Sequence, residues 1–390
     1  MGESRSKNKT ILMLVIAFFV GACVTGLIVA FLMVGIGNFK LVSKDTYSKM
    51  SEFYEDYSDL YAVDKAIDMY YYKDTKNVDR EDTVCKALVN ALGDKYSSYM
   101  TKKELSSFEA QTLGSYSGVG ITFAADKDGN FVVVSIAEDS PASDSGIKTG
   151  DILLKANGKT YDDTTSFADA IRGKKGTKVK IQYSHDGKKK TVTLTRNKIN
   201  TKSVSYKVLD DDIGYIKISQ FVKATYKDFK KSVEKLQDKG CKKIVLDLRD
   251  NGGGLVNPSL KIADLFIDSG LLTYTVDKQG NKQEYKADDT KLNMELVVLV
   301  NGNSASASEI LTGALKDNGY KIVGEKTFGK GIIQDTMQLN SGAAVELTVA
   351  QYFTPKGNKV HKKGITPNYV IKNSGSNDSQ LNKAKSLLEK

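Results

Sequence analysis

A run of small residues, Ser304-Ala-Ser-Ala-Ser308, separates an apolar stretch from a stretch with helical spacing. The apolar stretch at 296–300 predicts a buried strand, and the pattern at 310–315 predicts a helix. A strand, a tight loop and a helix would place one hydroxyl at a helix N-terminus, where backbone amides favour developing negative charge. We therefore take Ser306 as a candidate nucleophile.

A serine hydroxyl needs a base beside it to act as a nucleophile. The chain has two histidines, His185 and His361, and neither has an evident orienting carboxylate, so a histidine-based triad is not expected. Lys330 lies between two glycines after Phe328, a setting that suits burial, and burial lowers the pKa of a lysine toward neutrality. Gln334 could hold its ammonium without adding a counter-charge, which would raise that pKa again.

An oxyanion needs backbone N–H donors that no side chain blocks. The segment at 247–254, Asp-Leu-Arg-Asp-Asn-Gly-Gly-Gly, provides a glycine turn at the end of a predicted strand. The amide of Ala307, next to the candidate nucleophile, provides a second donor. An ordinary strand-to-helix turn is the alternative explanation of these glycines.

Two other interpretations compete with a catalytic serine. Ser306 with Glu309 fits a capping box, which opens a helix and needs no chemistry. The segment at 324–330 fits the Gly-x4-Gly-Lys part of a phosphate-binding loop. That loop requires Ser or Thr next and then a helix, whereas residue 331 is glycine and 331–338 alternates like a strand.

The elements that must position these residues divide into several regions. Residues 44–107 show helical amphipathic spacing with a break at 93–100, and 118–196 predict a small domain of strands and helices. Beyond 214, strands and helices alternate, which predicts an α/β domain. A polar tail after 374, ending in a weakly amphipathic helix, is expected to be dispensable for chemistry. The predicted strands lie at 118–123, 131–136, 150–158, 178–184, 190–196, 214–218, 243–248 and 296–300, and the predicted helices at 140–146, 167–171, 226–239, 256–269 and 308–316.

Residues 11–37 carry no charged side chain and are long enough to span a bilayer, so we predict an uncleaved membrane anchor. Basic residues in the tail at 1–10 favour a cytoplasmic N-terminus, which would place the rest of the chain outside the cytoplasm. A cleaved signal peptide is one alternative. Lipidation at Cys23, after Val20-Gly-Ala, is another.

The composition of the 390-residue chain is that of an ordinary globular protein, with 40% hydrophobic and 27% charged residues. The net charge is +10, but the lysines are scattered without interleaved aromatic residues, so nucleic acid is not an expected partner. The three cysteines and two histidines are not spaced as metal ligands. We expect no cofactor and no metal.

The segment at 118–196 resembles a PDZ domain of the kind found in proteases. The motifs that carry the resemblance are Gly-Val-Gly-Ile at 118–121, Ser-Pro-Ala at 140–142, Gly-Asp-Ile-Leu at 150–153 and Ile-Arg-Gly at 171–173. The resemblance implies that a peptide adds a strand there and that backbone amides receive its C-terminal carboxylate. Those amides belong to Gly118, Val119, Gly120 and Ile121. Arg172 is a candidate regulatory contact to the protease domain, with a solvated arginine as the alternative.

Several motifs in order look like the carboxyl-terminal processing peptidases, also called tail-specific proteases. They are the segments at 93–100, 247–254, 304–310, 327–331 with Gln334, 352–357 and 364–367. The resemblance implies that Ser306 is the nucleophile, Lys330 the base and Gln334 its support, with Gly253 as an oxyanion donor. Gly252 and Lys95 stand where many members carry proline.

These observations predict a multidomain α+β and α/β chain. Its regions are a helical segment at 44–110, a PDZ domain at 111–198, a Ser–Lys protease domain at 199–373 and a tail at 374–390. The expected function is a membrane-anchored endopeptidase acting on proteins or peptides with free C-termini. A non-enzymatic PDZ scaffold is the competing class, and a homodimer is left open.

Overall fold

The computed structural model describes residues 2–35, 42–210, 212–288, 291–373 and 377–389. The chain forms two compact units, Met1–Asp79 and Arg80–Lys390, which are described separately. Some predicted features lie outside the described residues: positions 36–37 of the anchor, 374–376 and 390 of the tail, and residue 1.

The described residues form helices and strands in the following order. They are α1 (Gly2–Gly35), α2 (Lys44–Tyr70), α3 (Arg80–Asn90), β1 (Ser98–Met100), α4 (Lys102–Thr112), β2 (Ser115–Gly118), β3 (Ile121–Ala125), β4 (Phe131–Ile136), β5 (Ile152–Ala156), α5 (Thr164–Ile171), β6 (Lys178–His185), β7 (Lys188–Thr195), β8 (Asn197–Asn200), β9 (Val204–Asp210), β10 (Ile213–Ile218), α6 (Thr225–Gln237), β11 (Lys243–Asp247), α7 (Val256–Asp264), β12 (Gly270–Asp277), β13 (Lys282–Ala287), β14 (Glu295–Val300), α8 (Ala307–Asp317), β15 (Lys321–Gly324), β16 (Ile332–Gln338), β17 (Ala344–Phe353), β18 (Tyr369–Val370) and α9 (Ser379–Leu388).

The N-terminal unit contains α1 and α2. Within the described residues, one helical stretch, Lys9–Phe31, is long and apolar enough to cross a membrane, a property that signal sequences share. The second helix begins at the N-cap Ser43, whose hydroxyl oxygen accepts a hydrogen bond from the Thr46 N–H at 3.1 Å. None of the residues of α2 is buried within the unit.

A six-stranded sheet, in the order β18-β15-β14-β11-β10-β9, organises the second unit. All neighbours in it are parallel except β9 and β10. The central strands β11 and β14 are apolar runs buried on both faces, as the inner strands of parallel sheets usually are. Leu246 and Val298 point toward the face covered by α6, α7 and α8, and Val245 and Val297 toward the opposite face.

The C-terminal residues differ from the expected polar tail. Helix α9 packs on the second face of the central sheet, where Ala384, Leu387 and Leu388 are buried against Val245 and Val297. The weak amphipathic pattern in the sequence is enough to cover this face, because without α9 those strand residues would be exposed to water. The C-terminal helix is therefore part of the core.

A second sheet contains β1, β17, β12 and β13 in that order, with β16 also paired to β17. Strand β1 precedes the PDZ-like segment in the chain, yet it pairs antiparallel with β17 near the end, with Ser98 opposite Glu346. The protease region is therefore built from chain on both sides of the PDZ-like segment.

The PDZ-like segment forms a five-stranded sheet, β3 to β7 in chain order, with α5 against it. The short ribbon of β2 and β8 joins its two ends. The helix expected at 140–146 is a series of turns instead. The hydroxyls of Ser143 and Ser145 donate to the carbonyl oxygens of Ser140 and Ala142 at 2.6 and 2.7 Å, so side-chain bonds replace the helical ladder.

Candidate active site

Ser306 lies in the loop between β14 and α8, beside the loop that follows β11. Since β11 and β14 are adjacent and parallel, their carboxyl ends meet at one edge of the sheet, where α/β folds form their sites. Ser306 has φ 55° and ψ −116°, a conformation that a residue with a Cβ rarely adopts. Surrounding contacts must hold this backbone strain, which clusters at functional sites.

The two serines on either side of Ser306 are buried and anchor its loop. The Ser304 hydroxyl donates to the Leu248 carbonyl oxygen at 2.8 Å. The Ser308 hydroxyl donates to the Asn251 carbonyl oxygen at 2.9 Å. Ser306 is the only partly exposed serine of the three. The structure thus separates one accessible hydroxyl from two structural ones.

Glu309, in the first turn of α8, has a fully buried carboxylate that accepts four hydrogen bonds. One oxygen accepts from the Ser306 N–H at 3.0 Å and the Lys330 N–H at 2.8 Å. The other accepts from the Thr327 hydroxyl at 2.5 Å and the Gly329 N–H at 2.7 Å. Burial raises the pKa of Glu309, while these donors lower it. The carboxylate therefore joins the serine loop, residues 301–306 between β14 and α8, to the lysine loop, residues 325–331 between β15 and β16.

The sequence pattern predicted for Glu309 only a role in a capping box. That interpretation accounts for the bond to the Ser306 N–H and misses the three bonds to residues 327–330. The apolar residues at 310–311 indicated that this turn of the helix is buried. A buried glutamate is almost always paired, so partners beyond the helix could have been expected.

The lysine loop passes very close to the chain at His361. A Cβ on Gly331 would lie 2.1 Å from the His361 backbone nitrogen, so only glycine fits there. The Tyr352 hydroxyl, which is buried, lies 2.7 Å from the Lys330 carbonyl oxygen and 3.0 Å from the Ser306 carbonyl oxygen. The backbones at Ser306 and Lys330 are therefore linked a second time.

The Lys330 side chain is half-buried, with its Nζ 5.0 Å from the centre of the Tyr96 ring. Burial lowers the pKa of Lys330, and the carboxylates of Glu346 and Asp94 act in the opposite direction. Burial also raises the pKa of Glu346. A lysine pKa below its ordinary value is what a general base requires.

Gln334 lies on β16, and its side-chain nitrogen donates to the Thr348 hydroxyl at 3.3 Å. Thr348 in turn donates to the Asp94 carboxylate at 2.6 Å. Among the described residues, none forms a hydrogen bond with Lys330 Nζ, so it is bonded neither to Ser306 nor to Gln334. The predicted catalytic residues thus lie on connected segments without hydrogen bonds between their side chains.

Both predicted oxyanion donors are placed beside Ser306. Gly253 has φ 106°, and a Cβ there would lie 2.8 Å from the Ser306 Cβ and 3.1 Å from the Ala307 nitrogen. Ala307 is the first residue of α8, so its N–H has no acceptor within the helix. The Gly253 N–H donates to Asn251 Oδ1 at 2.9 Å. A substrate oxygen would have to replace that acceptor.

The PDZ-like segment has a groove between β3 and α5, lined by the predicted carboxylate-binding residues 118–121 and by Arg172. Gly120 has φ 87°, and a Cβ there would lie 2.2 Å from the Ser140 Cβ, so the loop requires glycine. The Arg172 guanidinium lies 5.6 Å from the centre of the Tyr116 ring. The ring that Arg172 faces thus belongs to the strand leading into the groove.

One expectation about the histidines is wrong. His185 does have a carboxylate beside it, because Asp151 Oδ1 lies 2.7 Å from its Nδ1 across the paired ends of β5 and β6. The strand expected after Gly331 is present as β16, so the helix that a phosphate-binding loop requires is missing at this place. In the part of the chain that the structure describes, no group of three or more His, Cys, Asp and Glu residues could hold a metal ion.

Comparison with known proteins extends these observations. The PDZ domain profile matches residues 117–195, and the profile of peptidase family S41 matches residues 212–371. A probable CtpA-like serine protease of Staphylococcus saprophyticus is 36% identical over 369 residues, covering 92% of this chain and 72% of that protein. The carboxy-terminal processing protease CtpA of Bacillus subtilis is 37% identical over 303 residues, covering 76% of this chain and 65% of that protein.

Among solved structures, the photosystem II D1 C-terminal processing protease is 29% identical, with a TM-score of 0.49. The match covers 77% of this chain and 84% of that chain. The match to the Staphylococcus saprophyticus relative extends well beyond the PDZ segment, and the S41 profile spans the region that contains Ser306 and Lys330. The chain therefore belongs to peptidase family S41, the family of the CtpA-like carboxy-terminal processing serine proteases.

Proposed function

We propose that the protein is a membrane-anchored serine endopeptidase that cuts proteins near their C-termini, with Ser306 as nucleophile and Lys330 as general base. The observation that carries the proposal is the strained, accessible Ser306, whose N–H shares the Glu309 carboxylate with the N–H of Lys330. Membership of family S41 supports peptidase chemistry, and similarity to the carboxy-terminal processing protease CtpA of Bacillus subtilis supports cleavage near the C-terminus.

In the proposed reaction, the neutral Lys330 amine takes the Ser306 hydroxyl proton as Oγ attacks the scissile carbonyl carbon. Negative charge develops on the carbonyl oxygen, where the N–H groups of Gly253 and Ala307 and the N-terminus of α8 stabilise it. The Lys330 ammonium then protonates the leaving amine as the C–N bond breaks, and an acyl ester remains on Ser306. A water deprotonated by Lys330 hydrolyses that ester and restores both residues.

Two adjustments separate the described conformation from the reactive one. Lys330 Nζ must move from the Tyr96 ring toward Ser306, and the Gly253 N–H must exchange Asn251 for the oxyanion. Both are local movements, and catalytic hydrogen bonds often tighten only when substrate binds. We therefore interpret the described conformation as a resting state.

We further infer that the PDZ groove controls access to this site. A substrate tail would add a strand to β3, with its carboxylate on the backbone amides at 118–121. Binding can shift a resting–active equilibrium only by its differential affinity for the two states. Arg172 lines the same groove and is placed to sense the carboxylate or to meet the protease region.

The first prediction separates the three serines. Ser306→Ala should lower kcat by at least about 10³-fold, because the nucleophilic oxygen is lost. Ser304→Ala and Ser308→Ala should keep most of kcat and lose about 1–2 kcal/mol of unfolding free energy, since each removes one buried hydrogen bond to a backbone carbonyl oxygen. Peptide hydrolysis and thermal melting measure the two effects. Equal losses of kcat in all three variants would indicate a structural serine cluster.

The second prediction concerns the base. The Glu346 carboxylate raises the Lys330 pKa against the effect of burial, so Glu346→Gln should lower that pKa further. Since activity requires the neutral amine, the rising limb of the kcat/KM profile should move to lower pH.

The control for that shift is Glu284→Gln, which removes a carboxylate that is paired with Lys282 on β13 and should leave the profile unchanged. Lys330→Arg should be inactive at every pH, because a guanidinium stays protonated. A rising limb at the same pH in Glu346→Gln would contradict the assignment of Lys330.

The third prediction tests the groove. Amidating the C-terminus of a long substrate should raise its KM, because the carboxylate that the amides at 118–121 receive is lost. A short peptide that spans only the scissile bond serves as the control and should be cut equally with either terminus. Steady-state kinetics on the matched pairs measures the effect. An unchanged KM for the long substrate would show that the PDZ groove does not bind its tail.

The fourth prediction concerns the membrane. If residues 11–37 remain as an anchor with the N-terminus inside, a protease added to intact cells should release the part of the chain after residue 44. A cytoplasmic protein must stay intact in the same cells. Immunoblotting with an epitope at each end reads the result. If the part after residue 44 is protected from the added protease, it lies inside the cell and the predicted topology is wrong. A soluble product that lacks residues 11–37 indicates signal-peptide cleavage.

A further inference from the structure

The Arg249 guanidinium joins two carboxylates that are far apart in the sequence. Arg249 lies in the loop after β11, and its side chain donates to the fully buried Asp247 from Nε at 3.0 Å and from one terminal nitrogen at 2.6 Å. Its two terminal nitrogens donate to the two oxygens of Asp378 at 2.8 and 2.9 Å. One of them also donates to Gln380 Oε1 at 3.1 Å. All five guanidinium N–H donors can thus find an acceptor.

Asp378 is presented by the C-terminal helix. It is the N-cap residue of α9, and its carboxylate accepts a hydrogen bond from the Leu381 N–H at 3.0 Å. The apolar residues Ala384 and Leu387 seat α9 on the central sheet. The carboxylate that meets Arg249 is therefore held by a packed element rather than by a loose terminus.

Arg249 opens the loop that approaches the nucleophile. Two residues later, the Asn251 carbonyl oxygen accepts from the Ala305 N–H at 3.0 Å and its side-chain oxygen accepts from the Gly253 N–H at 2.9 Å. The path of this loop from β11 to Gly253 is thus fixed at its start by Arg249 and at its middle by Asn251. Only the first of these anchors depends on the C-terminal helix.

We propose that Asp378 is a positioning residue for hydrolysis: by holding Arg249 from α9, it fixes the loop that sets Gly253 against the oxyanion. The inference rests on the proposed role of Gly253 as an oxyanion donor. Asp378 does not touch the substrate and acts through Arg249. The chain end thereby contributes to the chemistry as well as to the core.

Asp247 holds the guanidinium along one edge only, through Nε and one terminal nitrogen. Without Asp378, two N–H groups of Arg249 lose their carboxylate acceptors, and Gln380 supplies a single oxygen. The Arg249 side chain is 11% exposed and that of Asp378 is 37% exposed, so water can replace the lost carboxylate without a fixed geometry. The consequence is a looser loop in a folded protein.

Asp378→Ser tests the proposal, because serine caps a helix about as well as aspartate while removing both carboxylate oxygens. We expect kcat to fall about tenfold with KM within about twofold, since a displaced oxyanion donor weakens mainly the transition state. Lys385→Ala is the matched control. It breaks the 2.9 Å ion pair of α9 with Asp210 and leaves Arg249 untouched, so its kcat should stay at the wild-type value.

A second readout distinguishes positioning from general loosening. A peptide boronate forms a tetrahedral adduct with a nucleophilic serine and needs the oxyanion donors, whereas a product peptide does not. In Asp378→Ser, the boronate affinity should fall by about the same factor as kcat/KM, with the product affinity unchanged. Equal loss of both affinities would overturn the positioning role.

Asp378→Asn provides a second variant, which keeps the cap and one acceptor oxygen and should lose less activity than Asp378→Ser. It decides the matter if the serine variant does not fold. Wild-type kcat in a folded Asp378 variant, or a loss no greater than in Lys385→Ala, overturns the proposal. An active Ser306→Ala enzyme would refute the proposed nucleophile itself, which is a different result from an unaffected Asp378 variant.

Discussion

The buried carboxylate of Glu309 is the constraint on which the rest of the site depends. A charge without access to water is costly unless donors surround it, and here every donor comes from the serine loop or the lysine loop. Neither loop can shift alone without leaving part of that charge unsatisfied. The strained backbone of Ser306 and the position of Lys330 are therefore set together, by one side chain that takes no part in bond making.

The surroundings of the lysine come from a distant part of the chain. Tyr96 and Asp94 precede the PDZ segment, whereas Glu346 lies on β17, and the pairing of β1 with β17 brings them together. Burial and the two carboxylates then act on the lysine pKa in opposite directions. The pKa of Lys330 thus depends on how the segment before the PDZ insertion packs, so chain on both sides of that insertion sets the basicity of this lysine.

Features with local signals in the sequence could be predicted, and features made by distant pairs could not. Apolar runs identified the central strands, and glycines marked the turns, because both effects arise within a few residues. The contacts of Arg249 with Asp378 span 129 positions, and no pattern in the sequence relates the two. The pairing of His185 with Asp151 was missed for the same reason. The role of Glu309 beyond its helix escaped because a capping box explains the same local spacing.

The ribbon formed by β2 and β8 has a consequence for how such enzymes diversify. The chain enters and leaves the PDZ segment side by side, and the Thr201 N–H donates to the Gly114 carbonyl oxygen at 2.7 Å just below the ribbon. Because the ribbon holds the two ends of the PDZ segment together, the protease region pays little entropy for closing this long connection. A segment joined in this way can change in length or sequence without altering the strand order of the protease region, so the two parts of the chain can vary independently.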